Sequence, residues 1–156
     1  MNKQELEDRL IDFAAAVITV ANKFEKNYAG NHLAGQIIRS GTSPALNYGE
    51  AQSAESKKDF IHKMGICLKE LRETFVCLRI IEKSNLSSDL ENLIIAKKEA
   101  NELISIFVSS IKTSKNNSWR KRLAISGMNI WNQKSLIFNR KYKNEKLLLH
   151  TIVVAL

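Results

Sequence analysis

Apolar residues recur at intervals of three and four through most of the chain, the spacing that gathers side chains on one face of an α-helix. Leu6, Leu10, Phe13, Val17, Ala21 and Phe24 mark a first helix over roughly Lys3 to Asn27, with YAGNH as the loop that ends it. Leu33, Ile37, Ile38, Ala45 and Tyr48 carry the period through a second helix. SAESKKD then supplies a start signal, Ser56 as N-cap with Asp59 three residues on in capping-box position. Phe60, Met64, Cys67, Leu71, Phe75, Leu78 and Ile81 form an unbroken third stripe that stops at KSNLSSD. Ser88 is positioned to cap a fourth helix, whose stripe Ile94, Ile104, Phe107 and Ile111, flanked by Leu90, Leu93 and Leu103, runs to the polar segment KTSKNNS. Four amphipathic helices with short links predict an all-α fold, an antiparallel up-and-down four-helix bundle over residues 1–115 that folds independently of residues 116–156.

Residues 116–156 do not continue that design. Their apolar residues cluster without a sustained period, and Ser126-Gly127 and Asn132 break any long helix. This segment reads as a basic C-terminal extension, either disordered or partly helical, with a short helix or a strand pair near Leu136 to Val154 as the ordered alternatives.

Composition changes the picture little, but charge changes it more. With 44% hydrophobic residues, 7% aromatics, six glycines and one proline, the chain has a sufficient core and too few turn residues for a β fold. The formal charge of +8 is unevenly placed: residues 1–116 hold 16 Lys+Arg and 15 Asp+Glu, net +1, and residues 117–156 hold 8 and 1, net +7. The basic pI therefore belongs to the extension, where WRKR and NRKYKNEK interleave Trp119 and Tyr142 with cations. That pattern suits nucleic acid, an anionic membrane surface or no function at all. Cys67 and Cys77 lie about 15 Å apart along one helix, too far to pair, and two free thiols fit a reducing, cytoplasmic setting. The acidic, polar start MNKQELEDRL is unlike a signal peptide, and no segment approaches the ~20 apolar residues of a membrane span.

The stretch RSGTSPALNYGEAQ, Arg39 to Gln52, concentrates the chemistry-bearing side chains. A phosphate loop would need a preceding strand and a following Lys-Ser/Thr, and both are missing. A nucleophile would need a convergent base, yet His32, His62 and His150 lie in separate segments. Packing explains more. Ser40, Gly41, Ala45, Gly49 and Ala51 are small enough for close helix approach, and Ser43-Pro44 reads as an N-cap and N1 pair that restarts or kinks the helix. Arg39, Ser43, Asn47 and Glu50 recur at four, four and three, one polar helical stripe that is either a solvated face or a polar network at a subunit interface or ligand groove, with Arg39 and Glu50 as its charged ends.

The third helix carries Lys57, Lys58, Lys63, Lys69, Arg72, Arg79 and Lys83 against Asp59, Glu70, Glu73 and Glu82, net +3. Pairing of Asp59 with Lys63 and Lys69 with Glu73 at i, i+4 would make this an ordinary surface. In an oligomer, repeated patches built on Lys57, Lys58, Lys63, Lys69 and Arg72 would sum to a positive face for phosphate. Glu70 and Glu73 sit beside Lys69 and Arg72 with no cleft implied for acid–base work, and His62 with Cys67 lacks further ligands for zinc. No catalytic residue, metal site or cofactor is predicted.

RSGTS, Asn47-Tyr48 with Glu50-Ala51-Gln52, SKKDFIHK and LKELRET resemble the signatures of four-helix-bundle proteins related to the 23S rRNA intervening sequence protein, the S23 family, over roughly residues 5–115. The resemblance implies an up-and-down bundle assembled as a homopentamer. It also implies kinship with the accessory protein of diversity-generating retroelements, which binds a reverse transcriptase and nucleic acid. Arg39, Ser43, Asn47 and Glu50 match positions the family keeps polar, whereas Pro44 stands where Ile or Val is usual and Cys77 where an aromatic is usual. The expected function is that of a non-enzymatic, oligomeric bundle acting as a nucleic-acid or ribonucleoprotein accessory factor, with RNA or DNA as ligand. The alternative is a protein-interaction scaffold with no nucleic-acid role.

Overall fold

The computed structural model describes the backbone of residues 1–125 and the side chains of residues 1–116. Four helices account for the order of the chain: α1 (Lys3–Ala21), α2 (Tyr28–Gln52), α3 (Lys57–Lys83) and α4 (Leu90–Ile125). Each start is set by a side chain that satisfies an otherwise orphaned backbone N–H. Asn2 and Glu5 form a full capping box on α1, Asn27 accepts from the Gly30 amide on α2, and Ser56 accepts from the Asp59 amide on α3. At α4 the Asp89 carboxylate accepts from the Asn92 amide at 3.1 Å.

Contacts between successive helices show the up-and-down course. Gly41 of α2 meets Val17 of α1, Gln36 and Glu50 of α2 meet Glu73 and Lys63 of α3, and Lys97 of α4 reaches Glu82 of α3 at 2.6 Å. Arg9 of α1 closes the ring on Glu99 and Glu102 of α4, so α1 and α3 stand at diagonal corners. The fold class expected from periodicity is therefore the fold observed, a four-helix bundle. The chain divides into two units, Met1–Ser114 and Lys115–Leu156. The first unit holds the core: Leu10, Phe13 and Val17 of α1, Ile37 and Tyr48 of α2, Met64, Leu71 and Leu78 of α3, and Leu93, Leu103 and Phe107 of α4. Tyr48 and Phe107 meet edge to face across it, ring centroids 6.0 Å apart.

Several boundaries differ from the expectation. α1 ends at Ala21, and Phe24 reaches the core from the α1–α2 connection, which is tied to the α3–α4 connection by Glu25 N–H to Leu86 O at 2.9 Å. YAGNH is the first turn of α2, because Asn27 caps there; a Cβ on Gly30 would stand 2.0 Å from the Glu25 carbonyl oxygen, so only glycine fits. Ser88 donates its hydroxyl to Lys23 O at 3.1 Å, and Asp89 takes the capping role. KTSKNNS does not end α4, which continues to Ile125. The buried stripe of α4 is Leu93, Ala96, Ala100, Leu103 and Phe107, whereas Ile94 is half exposed. The remainder of the basic extension beyond Ile125, Tyr142 included, and the Trp119 side chain lie outside the described residues.

Candidate functional site

RSGTSPALNYGEAQ lies wholly within α2, and Pro44 is inside the continuous helix, so Ser43 starts no new helix there. Gly41 is the glycine of this stretch that packing demands: its added Cβ would meet Val17 Cγ1 at 2.6 Å, while at Gly49 the nearest atom is 4.0 Å away. Pro44 has no N–H to donate, and its carbonyl accepts from the buried Cys67 thiol at 3.5 Å. Beside it the fully buried hydroxyls of Ser40 and Thr74 lie 3.0 Å apart, with Thr74 Oγ1 2.9 Å from the Glu70 carbonyl oxygen. This is a satisfied packing seam, with no base beside either hydroxyl in these contacts.

The polar stripe of α2 turns its charged ends to α3. Arg39 binds Glu73 through Nη2 and Glu70 Oε2 through Nη1 at 3.4 Å; Gln36 also donates to Glu73 at 2.7 Å. Glu50 accepts from Lys63 Nζ at 2.8 Å. That hydrogen bond raises the Lys63 pKa above the ordinary lysine value. Between them, Asn47 Nδ2 donates to Ser43 at 2.9 Å (O) and 3.0 Å (Oγ), closing the middle of the stripe on itself.

These cross-helix bonds redistribute the charges of α3. Glu73 and Lys63 are drawn to α2 and Glu82 to Lys97 of α4, while the i, i+4 pairs expected within α3 do not form. The exposed residues of α3 are Lys57, Lys58, His62, Gly65, Lys69, Arg72, Val76, Arg79, Ile80 and Lys83: six cations and no carboxylate. Glu70 is buried, and Asp59, Glu73 and Glu82 are half-buried. Among the described residues no carboxylate lies within ion-pair distance of Lys57, Lys58, Arg72, Arg79 or Lys83, and Lys69 is 3.8 Å from Glu70. Arg79 lies over the Phe75 ring, 5.8 Å from its centroid.

Of the five cations singled out from the sequence, Lys57, Lys58, Lys69 and Arg72 thus share the outer ridge, and Lys63 is turned to the α2 seam. Arg79 and Lys83 extend the ridge; the spacing Lys69, Arg72, Val76, Arg79, Lys83 already carried that signal at three, four, three and four. Both thiols are buried and unpaired, and burial pushes Cys67 up to about 12, so neither is an exposed, activated nucleophile. Among the described residues no cluster of three His, Cys, Asp or Glu could hold a metal ion. No described helix is long and apolar enough to cross a membrane.

Comparison with known proteins places this geometry in context. Residues 3–109 match the family described as 23S rRNA-intervening sequence protein. A crystal structure of a protein of unknown function from the S23 ribosomal protein family of Bacteroides thetaiotaomicron is 28% identical, with a TM-score of 0.65, covering 72% of this chain and 99% of that one. No curated protein matches the chain.

Proposed function

Because the chain belongs to the 23S rRNA-intervening sequence protein family, we propose that it is a non-enzymatic bundle that binds the phosphate backbone of nucleic acid along the outer ridge of α3, as an accessory factor. The observation that carries this reading is the sorting of charge on α3: Glu70 and Glu73 pair with Arg39 of α2 and Glu82 with Lys97 of α4, and the charged residues left on its exposed surface are all cations. Residues 1–114 are neutral by formal charge, 15 Lys+Arg against 15 Asp+Glu, so this ridge is a local feature that net charge conceals. Two buried, unpaired thiols agree with work in a reducing cytoplasm.

The test compares the full chain with a variant carrying Lys58→Gln, Lys69→Gln, Arg72→Gln and Arg79→Gln, titrated with RNA over a range of salt. If the ridge holds phosphates, affinity drops and the slope of log affinity against log salt flattens by roughly 0.7 per lost contact on a single strand. Unchanged affinity and slope would assign all binding to the C-terminal extension and overturn the reading.

A second reading has its own observation. The exposed face of α1, diagonal to α3, carries Glu5, Asp8 and Asp12 against Lys3, together with Ile11 and Ile18. An acidic edge and a basic edge on opposite sides of one bundle suit head-to-tail association, in which α1 of one copy meets α3 of the next. This is the alternative of a protein-interaction scaffold with no nucleic-acid role; the homo-oligomer, for which the family resemblance suggests a pentamer, is common to both readings. Arg39 and Glu50, both more than half exposed, would lie near its rim. A reverse transcriptase is the protein partner that the same resemblance suggests. Charge reversal at Asp8 and Asp12 should lower the oligomeric mass, and adding charge reversal at Lys69 and Arg72 in the same chain should restore it.

A further inference from the structure

We propose that the α3 ridge takes single-stranded nucleic acid in preference to a duplex, an inference that rests on the phosphate-binding reading above. The first argument is shape. From Lys58 to Lys83 the row runs about 38 Å along a helix axis. The major groove of a duplex, about 12 Å wide, admits a helix of 10–12 Å diameter with little room beside it. α3 is flanked by α2 from Lys63 to Thr74 and by α4 at Glu82, so its neighbours would meet the groove walls. Outside the groove, a duplex is stiff over this length and its phosphates spiral away from a straight ridge. A single strand is flexible enough to follow the row.

The second argument is chemistry. Val76 is 49% exposed and Ile80 44% exposed, and they interleave with Arg72, Arg79 and Lys83 at helical spacings of three and four. The backbone face of a duplex offers these aliphatic side chains phosphates and sugar edges, while its base faces are stacked out of reach. A single strand exposes base faces next to its phosphates, so the same contact that neutralises charge can also cover Val76 and Ile80. Arg79, held over the Phe75 ring, presents a guanidinium of the kind on which unpaired bases stack.

Two full-chain variants test this: Val76→Ser/Ile80→Ser, which leaves every charge in place, and Arg72→Gln/Arg79→Gln. Each is titrated with ~12-nucleotide oligothymidylate and with a DNA duplex of the same length, after circular dichroism confirms the helices. The serine variant should lose roughly five-fold in affinity for the single strand with an unchanged salt slope, and nothing for the duplex. The glutamine variant should flatten the single-strand slope more than the duplex slope. If the glutamine variant weakens both ligands equally while the serine variant affects neither, the ridge binds phosphate without strand preference and this inference is wrong. If the glutamine variant affects neither ligand, the phosphate-binding reading fails and takes this inference with it.

Discussion

Gly41→Ala sets two known effects against each other at one atom. In a helix interior, alanine is favoured over glycine by roughly 1 kcal/mol, so on propensity alone the change stabilises. The new methyl, however, would lie 2.6 Å from Val17 Cγ1 and 3.1 Å from both Cβ and Cγ2. Val17 is fully buried and β-branched, and because its Cβ is itself too close, no rotamer relieves the contact. Helices α1 and α2 must then separate, an overpacking cost of about 1–3 kcal/mol. The net expectation is destabilisation by about 0–2 kcal/mol, a fall of up to several degrees in melting temperature. Val17→Ala alone should cost about 2–3 kcal/mol through lost methyls and a cavity. In the double variant the new methyl occupies part of that cavity, so the two costs should fall short of additivity by about 2 kcal/mol. Denaturant melts of the four proteins measure the cycle. Additivity within about 0.5 kcal/mol, or stabilisation by Gly41→Ala alone, would refute the claim that glycine is present for close approach.

Two further predictions concern the same seam. Burial raises the Cys67 pKa to about 12 from an ordinary value near 9, so its contribution to stability is fully present below pH 9 and is lost as pH rises from there through 12, at up to about 1.4 kcal/mol per pH unit. The stability difference between wild type and Cys67→Ala should therefore narrow across that window; parallel pH profiles would sink the prediction. Pro44→Ala restores a backbone donor within α2 and recovers up to about 3 kcal/mol of helix propensity. Loss of two buried ring methylenes, at about 0.8 kcal/mol each, and greater freedom of the unfolded chain offset most of this gain. A small rise in melting temperature is expected, and destabilisation beyond about 2 kcal/mol would mean that ring packing outweighs the missing hydrogen bond.

The existence, number and order of the helices were legible in the sequence, because a 3.6-residue period is a property of one helix by itself and appears wherever one face is buried. The Ser56 cap was legible for the same local reason. The face of α4 was not: LENLIIAKK offers adjacent aliphatic residues, and whether Ile94 or Ala96 turns inward depends on how near the neighbouring helices lie. Nor were the cap at Asp89 and the first turn at Tyr28, since Ser88 and Phe24 were taken up by contacts between two connections about 60 residues apart. The charges of α3 show the limit most clearly. Within the helix, Lys69 and Glu73 stand at i, i+4 spacing, yet Arg39 and Gln36 of α2 claim Glu73, and Lys97 of α4 claims Glu82. Residue types and spacing determined that α3 would be rich in cations. Only the rotation and axial offset of its neighbours decided that Glu70, Glu73 and Glu82 would be drawn into the seams and six cations left on the exposed surface, because an ion pair forms between whichever ends the packed backbones bring within a few ångströms.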